Sequence, residues 1–139
     1  MKKKLLLFIC IMIFICFMSP PIAKATVIES NSIITPYYTT IVLCYNNLKL
    51  NSGGKLSCTA ETSVQREYIA GINMELQKLS DNWTTIKTWD STSKDSEMYL
   101  YKEWYVEKGT YRLKLTHTAI DSSGKTVETV VNYSTNVTY

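Results

Sequence analysis

One histidine, His117, is all the chain offers for acid–base chemistry near neutral pH, and no Cys–His pair, nucleophile elbow or H-E-x-x-H motif accompanies it. It lies on a segment whose apolar residues share its parity, so it is read as a packed histidine rather than a general base. Cysteine is nearly as scarce. Of the four present, Cys10 and Cys16 fall in an N-terminal apolar run, where Ile9 and Ile15 occupy the position at which a lipoprotein signal wants a small residue. Cys44 and Cys58 remain, too few for a structural zinc site even with His117, so neither metal nor cofactor is expected. Long hydrophobic runs are also lacking. The fourteen residues from Leu5 to Met18 stop short of the ~20 that a membrane-spanning helix needs, and Asn136-Val137-Thr138-Tyr139 is no hydrophobic anchor tail.

The N-terminal run instead reads as a signal peptide, residues 1–25. Lys2 to Lys4 form its charged start, Pro20 and Pro21 end the apolar stretch, and Ala23-Lys24-Ala25 supplies a small-x-small cleavage pattern. The expected product is secreted and extracellular, with no membrane attachment after cleavage. Cleavage removes four of the fifteen basic residues and none of the twelve acids, so a net charge of +3 becomes −1. Nothing then steers the protein toward nucleic acid. All three phenylalanines leave with the leader, while ten tyrosines and three tryptophans stay. Some of these rings must therefore fill the interior.

Residues 26–38, interrupted by Pro36, read as a linker or N-terminal arm, and residues 39–139 as one domain. Strand signals begin at Thr39–Leu50. Asn51-Ser52-Gly53-Gly54 is a turn with two glycines available for positive φ, and Leu56, Cys58 and Ala60 then alternate with polar residues. Tyr68–Leu79 is the next strand, with Ile72, Met74 and Leu76 inward and Gly71 marking a bulge; a short helix over Met74–Lys78 is its rival. Trp83–Trp89 and Met98–Val106 follow, separated by a polar loop from Asp90. Gly109 opens the most regular alternation in the chain, Tyr111, Leu113, Leu115 and Ala119 against Arg112, Lys114, Thr116 and Thr118, as expected of a central strand. After Asp121–Gly124 a last strand runs from Thr126 to Tyr139, with Val127, Val131 and Tyr133 as core candidates. Seven short strands and no strand–helix alternation predict an all-β fold, a single antiparallel β-sandwich.

Gly109-Thr110-Tyr111-Arg112-Leu113 resembles the tyrosine corner of immunoglobulin-like and fibronectin type III sandwiches. From about Tyr38 to Tyr139 the chain also resembles small secreted proteins of low-GC Gram-positive bacteria (Firmicutes) to which no function is assigned. The matching stretches are Leu48–Cys58, Met74–Lys78, Trp83–Trp89 and Gly109–Leu113. The resemblance implies an immunoglobulin/fibronectin III-like sandwich and export. It carries over no catalytic or ligand residue.

Cys44 and Cys58 share parity across the first hairpin in a compartment that permits disulfides, so a disulfide between them is expected unless the turn holds their Cα atoms apart. Trp83, Thr85, Lys87 and Trp89 share one face if their strand is regular. Rings, a hydroxyl and a charge suit a half-wet binding surface, and these four are the candidate binding residues. Trp104, Tyr99, Tyr101 and Tyr105 add to the aromatic density, either as core or as a platform. The function these features favour is a secreted, non-enzymatic binding or interaction module whose partner is an extracellular protein or glycan. The alternatives are a small carboxylate-based glycan hydrolase using Glu97 with Glu103 or Asp90 with Asp95, and an envelope structural protein without a discrete ligand.

Overall fold

Alternation of apolar and polar residues produces eight strands in the computed structural model, which describes residues 39–139. The assignments of 1–25 as signal peptide and 26–38 as arm lie outside these residues. The strands are β1 (Ile41–Leu50), β2 (Lys55–Val64), β3 (Ile69–Leu79), β4 (Trp83–Thr92), β5 (Glu97–Tyr105), β6 (Thr110–Ile120), β7 (Thr126–Tyr133) and the two-residue β8 (Val137–Thr138). They form two antiparallel sheets, β1-β2-β5 and β4-β3-β6-β7, with β8 continuing along β6. The expected all-β sandwich of antiparallel strands is therefore present. Met74–Lys78, for which a helix competed, lies inside β3 because Met74 and Leu76 are both needed on the buried face.

β6 is central, paired with β3 on one side and β7 on the other. Tyr111, Leu113, Leu115, His117 and Ala119 alternate inward along its length. Tyr111 is the one fully buried tyrosine or tryptophan among the described residues, and its hydroxyl donates to the Glu107 carbonyl at 2.7 Å. That bond satisfies the polar end of a ring otherwise packed among leucines. With no phenylalanine available, the space between the sheets is filled by aliphatic residues and by small ones. One cluster joins Leu48, Leu56, Cys58, Ile72, Met74, Leu76, Leu100, Tyr111, Leu113 and Leu115 with Ala60, and a second joins Ile41, Cys44, Val64, Ala70, Ala119 and Val130. His117 and Thr62 sit where the two meet, each following the main cluster along its strand. The Thr62 hydroxyl lies 2.6 Å from His117 Nδ1, and His117 Nε2 lies 3.2 Å from Asn132 Oδ1. The neutral ring thus accepts from Thr62 and donates to Asn132, and burial holds its pKa down at about 4.

The expected disulfide does not form. Register pairs Cys44 with Thr62 and Cys58 with Leu48, so the two cysteines are displaced by four residues along the hairpin, roughly 14 Å at ~3.4 Å per residue. A disulfide needs Cα atoms within ~7 Å. Both are free, buried thiols, each pushed up to about 12 by burial, with Glu128 adding to the effect at Cys44.

Gly71 does not mark a bulge. It pairs regularly with Thr92 and Thr118, and a Cβ there would collide with the Thr118 hydroxyl, so glycine answers a close approach instead. β7 also departs from expectation: Val127, Val131 and Tyr133 are exposed, and Val130 is the buried residue. Its inward positions otherwise carry polar groups with specific partners. Glu128 accepts from the backbone amides of Thr39, Thr40 and Ile41 at 3.2, 2.8 and 2.7 Å, tying the start of β1 to β7, and Asn132 serves His117.

Candidate functional site

Along β4 the alternation is broken once, and the break decides where its aromatic residues go. Leu76 pairs with Lys87 but Gln77 pairs with Thr85, leaving Ile86 as the extra residue of a β-bulge. Beyond it the side chains change faces. Trp89 and Lys87, opposite Met74 and Leu76, belong to the inner face, whereas Thr85 and Trp83, opposite Gln77 and Leu79, belong to the outer one. Trp83, Thr85, Lys87 and Trp89 therefore do not share a face, contrary to the regular-strand expectation.

The inner pair closes a seam. Trp89 packs partly buried against the core and meets Trp104 of β5 edge-on, ring centroids 6.1 Å apart, while Lys87 Nζ lies 4.8 Å over the Trp104 ring. β4 and β5 are edge strands of their respective sheets. Each presents a lysine at an inward position, Lys87 on β4 and Lys102 opposite Cys58 on β5. Inward charges of this kind discourage another chain from adding to the edge.

The outer pair joins an ordered network across β4, β3, β6 and β7. The Arg112 guanidinium is stacked between two rings, its Cζ 4.2 Å from the Trp83 centroid and 4.3 Å from that of Tyr133. Its Nε donates to Gln77 Oε1 at 2.9 Å, and Gln77 Nε2 reaches Thr85 Oγ1 at 3.3 Å. Thr85 in turn donates to Glu75 at 2.6 Å, and the other oxygen of that carboxylate takes Lys114 Nζ at 2.7 Å. The Lys114 ammonium and the Thr85 hydroxyl hold the Glu75 carboxyl below the usual carboxylate range. Leu79, Val131 and Tyr133 leave apolar surface exposed on the same side. Trp, Tyr and Arg fixed at the centre of a broad sheet face is the composition of a binding hot spot.

Three further tyrosines stand on the far side of the sandwich. Tyr99, Tyr101 and Tyr105 face outward from β5, exposed by 61, 46 and 71 %. Tyr101 donates to Glu103 at 2.7 Å, and Glu103 also pairs with Lys55 at 3.0 Å. At the pole formed by the β2–β3, β4–β5 and β6–β7 connections lies an open cleft of about 710 Å³, lined mainly by charged and hydroxyl-bearing residues, Glu67, Asp95 and Glu97 with Arg66 and Lys94 among them. The suggested carboxylate pairs are thereby divided: Asp95 and Glu97 line the cleft, while Glu103 lies on the tyrosine face and Asp90 is an exposed residue of β4. Among the described residues no three His, Cys, Asp or Glu side chains gather to hold a metal, and no helix is long and apolar enough to cross a membrane.

The network's members other than Trp83 and Thr85 escaped the sequence reading. Arg112 and Lys114 were legible as outward residues of β6, and Glu75 and Gln77 follow from the inward parity of Ile72, Met74 and Leu76. What brings them to Trp83 is the bulge, and a Thr-rich stretch without glycine or proline gives no sign of one. In comparisons with known proteins, no family model, no curated protein and no solved structure matches this chain.

Proposed function

We propose that the protein is a secreted, non-enzymatic binding module of the immunoglobulin/fibronectin type III-like kind, engaging an extracellular partner through the outer face of the β4-β3-β6-β7 sheet. The fold reading is supported by the division of strands into β1-β2-β5 and β4-β3-β6-β7, and by Tyr111, whose hydroxyl reaches back four residues to backbone at the start of β6. The observation that carries the functional reading is Arg112 held between Trp83 and Tyr133 on an open face. Two cation–π contacts at ~0.5–1 kcal/mol each add little to a sandwich whose core is already complete. They do remove the conformational freedom that an arginine and two large rings would otherwise lose on binding.

The test compares the exported protein with its Trp83→Ala variant in retention of extracellular proteins and cell-wall glycans on a solid support. The expected result is a loss of affinity of about tenfold or more, with an unfolding midpoint close to that of the parent. Retention unchanged in Trp83→Ala and in Tyr133→Ala would refute the assignment of this face. A hydrolase reading would rest on the polar cleft bearing Glu67, Asp95 and Glu97. Glu97→Gln is the variant in which any glycan-cleaving activity would disappear.

A further inference from the structure

Charge is unevenly settled on the proposed binding face. Lys114 is neutralised by Glu75 at 2.7 Å, but among the described residues Arg112 makes no ion pair, and its one side-chain hydrogen bond runs from Nε to the amide oxygen of Gln77. The two terminal nitrogens, Nη1 and Nη2, have no protein acceptor among those residues. The Trp83 and Tyr133 ring centroids lie within 4.3 Å of the guanidinium carbon and Gln77 holds its Nε, so what stays open is the fork of the two terminal nitrogens. A planar fork of N–H donors fixed in this way matches a carboxylate in two parallel hydrogen bonds, a geometry that a neutral amide or an isolated hydroxyl does not reproduce. Leu79, which opposes Thr110 beside Trp83, and the exposed parts of the two rings would shield such a pair from water.

We infer that Arg112 is a carboxylate-recognition site, and that its occupant is an aspartate or glutamate side chain of a protein partner, flanked by apolar residues that cover Leu79 and the exposed parts of the Trp83 and Tyr133 rings. This rests on the reading of the sheet face as a binding surface and names the chemistry at its centre. A protein side chain is preferred to an acidic sugar because both rings already have Arg112 over one side, and the neighbouring exposed residue Leu79 is aliphatic. The complement of such a surface is an apolar patch with one acid in it.

The experiment titrates the isotope-labelled exported protein with two acetylated, amidated tripeptides, leucine–glutamate–leucine and leucine–glutamine–leucine. The Arg112 Nε–H and Trp83 indole N–H resonances are followed. A trimer of galacturonic acid forms a third arm. The glutamate peptide is expected to shift both resonances saturably, on the order of millimolar Kd, and the glutamine peptide to bind about tenfold or more weakly. Arg112→Lys, which keeps the charge but not the fork, is expected to bring the glutamate peptide down to the level of the glutamine one. Equal response to the two peptides, or no response at Arg112 with either, would overturn the inference. So would tighter binding of the galacturonate trimer than of the glutamate peptide. The peptide comparison uses the unaltered protein, so it decides the matter even if Arg112→Lys folds poorly. If macromolecular partners are retained through Trp83 while the two peptides behave alike, the binding face stands and the carboxylate site falls. If Trp83→Ala and Tyr133→Ala both retain partners unchanged, the face itself is wrong.

Discussion

Acidification should weaken the fold through His117 before it affects any carboxylate. The ring is fully buried, and burial sets its pKa at about 4 against an ordinary 6.5, a shift that the hydrogen bond to Asn132 opposes only in part. Above about pH 6.5 the imidazole is neutral in both folded and unfolded chains and its contribution is fully present. As pH falls through 6.5 the unfolded chain takes up a proton that the folded chain refuses until about pH 4, so stability declines across that window and levels off below it. The whole gap is worth about 3 kcal/mol, of which about 2 kcal/mol is lost by pH 5. Glu75 and Glu103, held below their ordinary value of 4.5, and Asp121, held below 3.8, lose their contributions only as pH falls through the carboxylate range. The interval from 6.5 to 5 therefore reports on the histidine. Urea titrations monitored by tryptophan fluorescence should show the midpoint falling by about 1 M over that interval, given an m-value of ~1–3 kcal/mol/M. His117→Gln, which keeps an acceptor for Thr62, should flatten the profile. An unaltered protein with constant midpoint between pH 6.5 and 5, or a glutamine variant with the parental slope, would refute the account of a neutral, bridging ring.

Cys44 and Cys58 should react with a thiol reagent only after unfolding, giving two modifications within residues 39–139, and non-reduced and reduced samples should show no bond between them. Trp89→Ala should cost about 2–3 kcal/mol in denaturant unfolding because it opens the seam beside Trp104, whereas Trp83→Ala should cost under about 1 kcal/mol. Replacing both Lys87 and Lys102 by valine should promote concentration-dependent association, read by light scattering, because it removes the inward charge from both edge strands at once.

Period-two patterning was sufficient on β2 and β6. β2 alternates without a fault from Lys55 to Val64, and β6 from Thr110 to Ile120. It failed on β7, where the rule that apolar residues face inward meets two polar side chains with buried work to do. Glu128 must reach the amides at the start of β1 and Asn132 must reach His117, so the valines and the tyrosine of odd number turn outward. Those partners are distant in sequence, and no local pattern reveals them. The cysteines illustrate a different limit. Shared parity establishes a shared face, but position along the strand comes from the turn, and Asn51–Gly54 sets a register in which Leu50 opposes Leu56 and Cys44 overshoots Cys58. The candidate site was legible in its composition and not in its assembly. Trp83 and Thr85 belong to the outer network, yet Lys87 and Trp89 were grouped with them because one additional residue is invisible to a count by twos.

That additional residue also relates the fold to the proposed function. If β4 were regular, Trp83 and Trp89 would lie on one face, and they could not both seal the seam and flank Arg112. With Ile86 inserted, Trp89 turns in toward Trp104 and the core, while Trp83 turns out toward Arg112. Stability and binding are thus assigned to different tryptophans on the same strand. The division has an energetic consequence. Arg112, Gln77, Glu75 and Lys114 are bonded to one another above a core composed of other residues, so the outer network can be altered without opening a cavity. Its substitutions should therefore be read in affinity rather than in denaturant midpoint, the reverse of what Trp89, Tyr111 and His117 require.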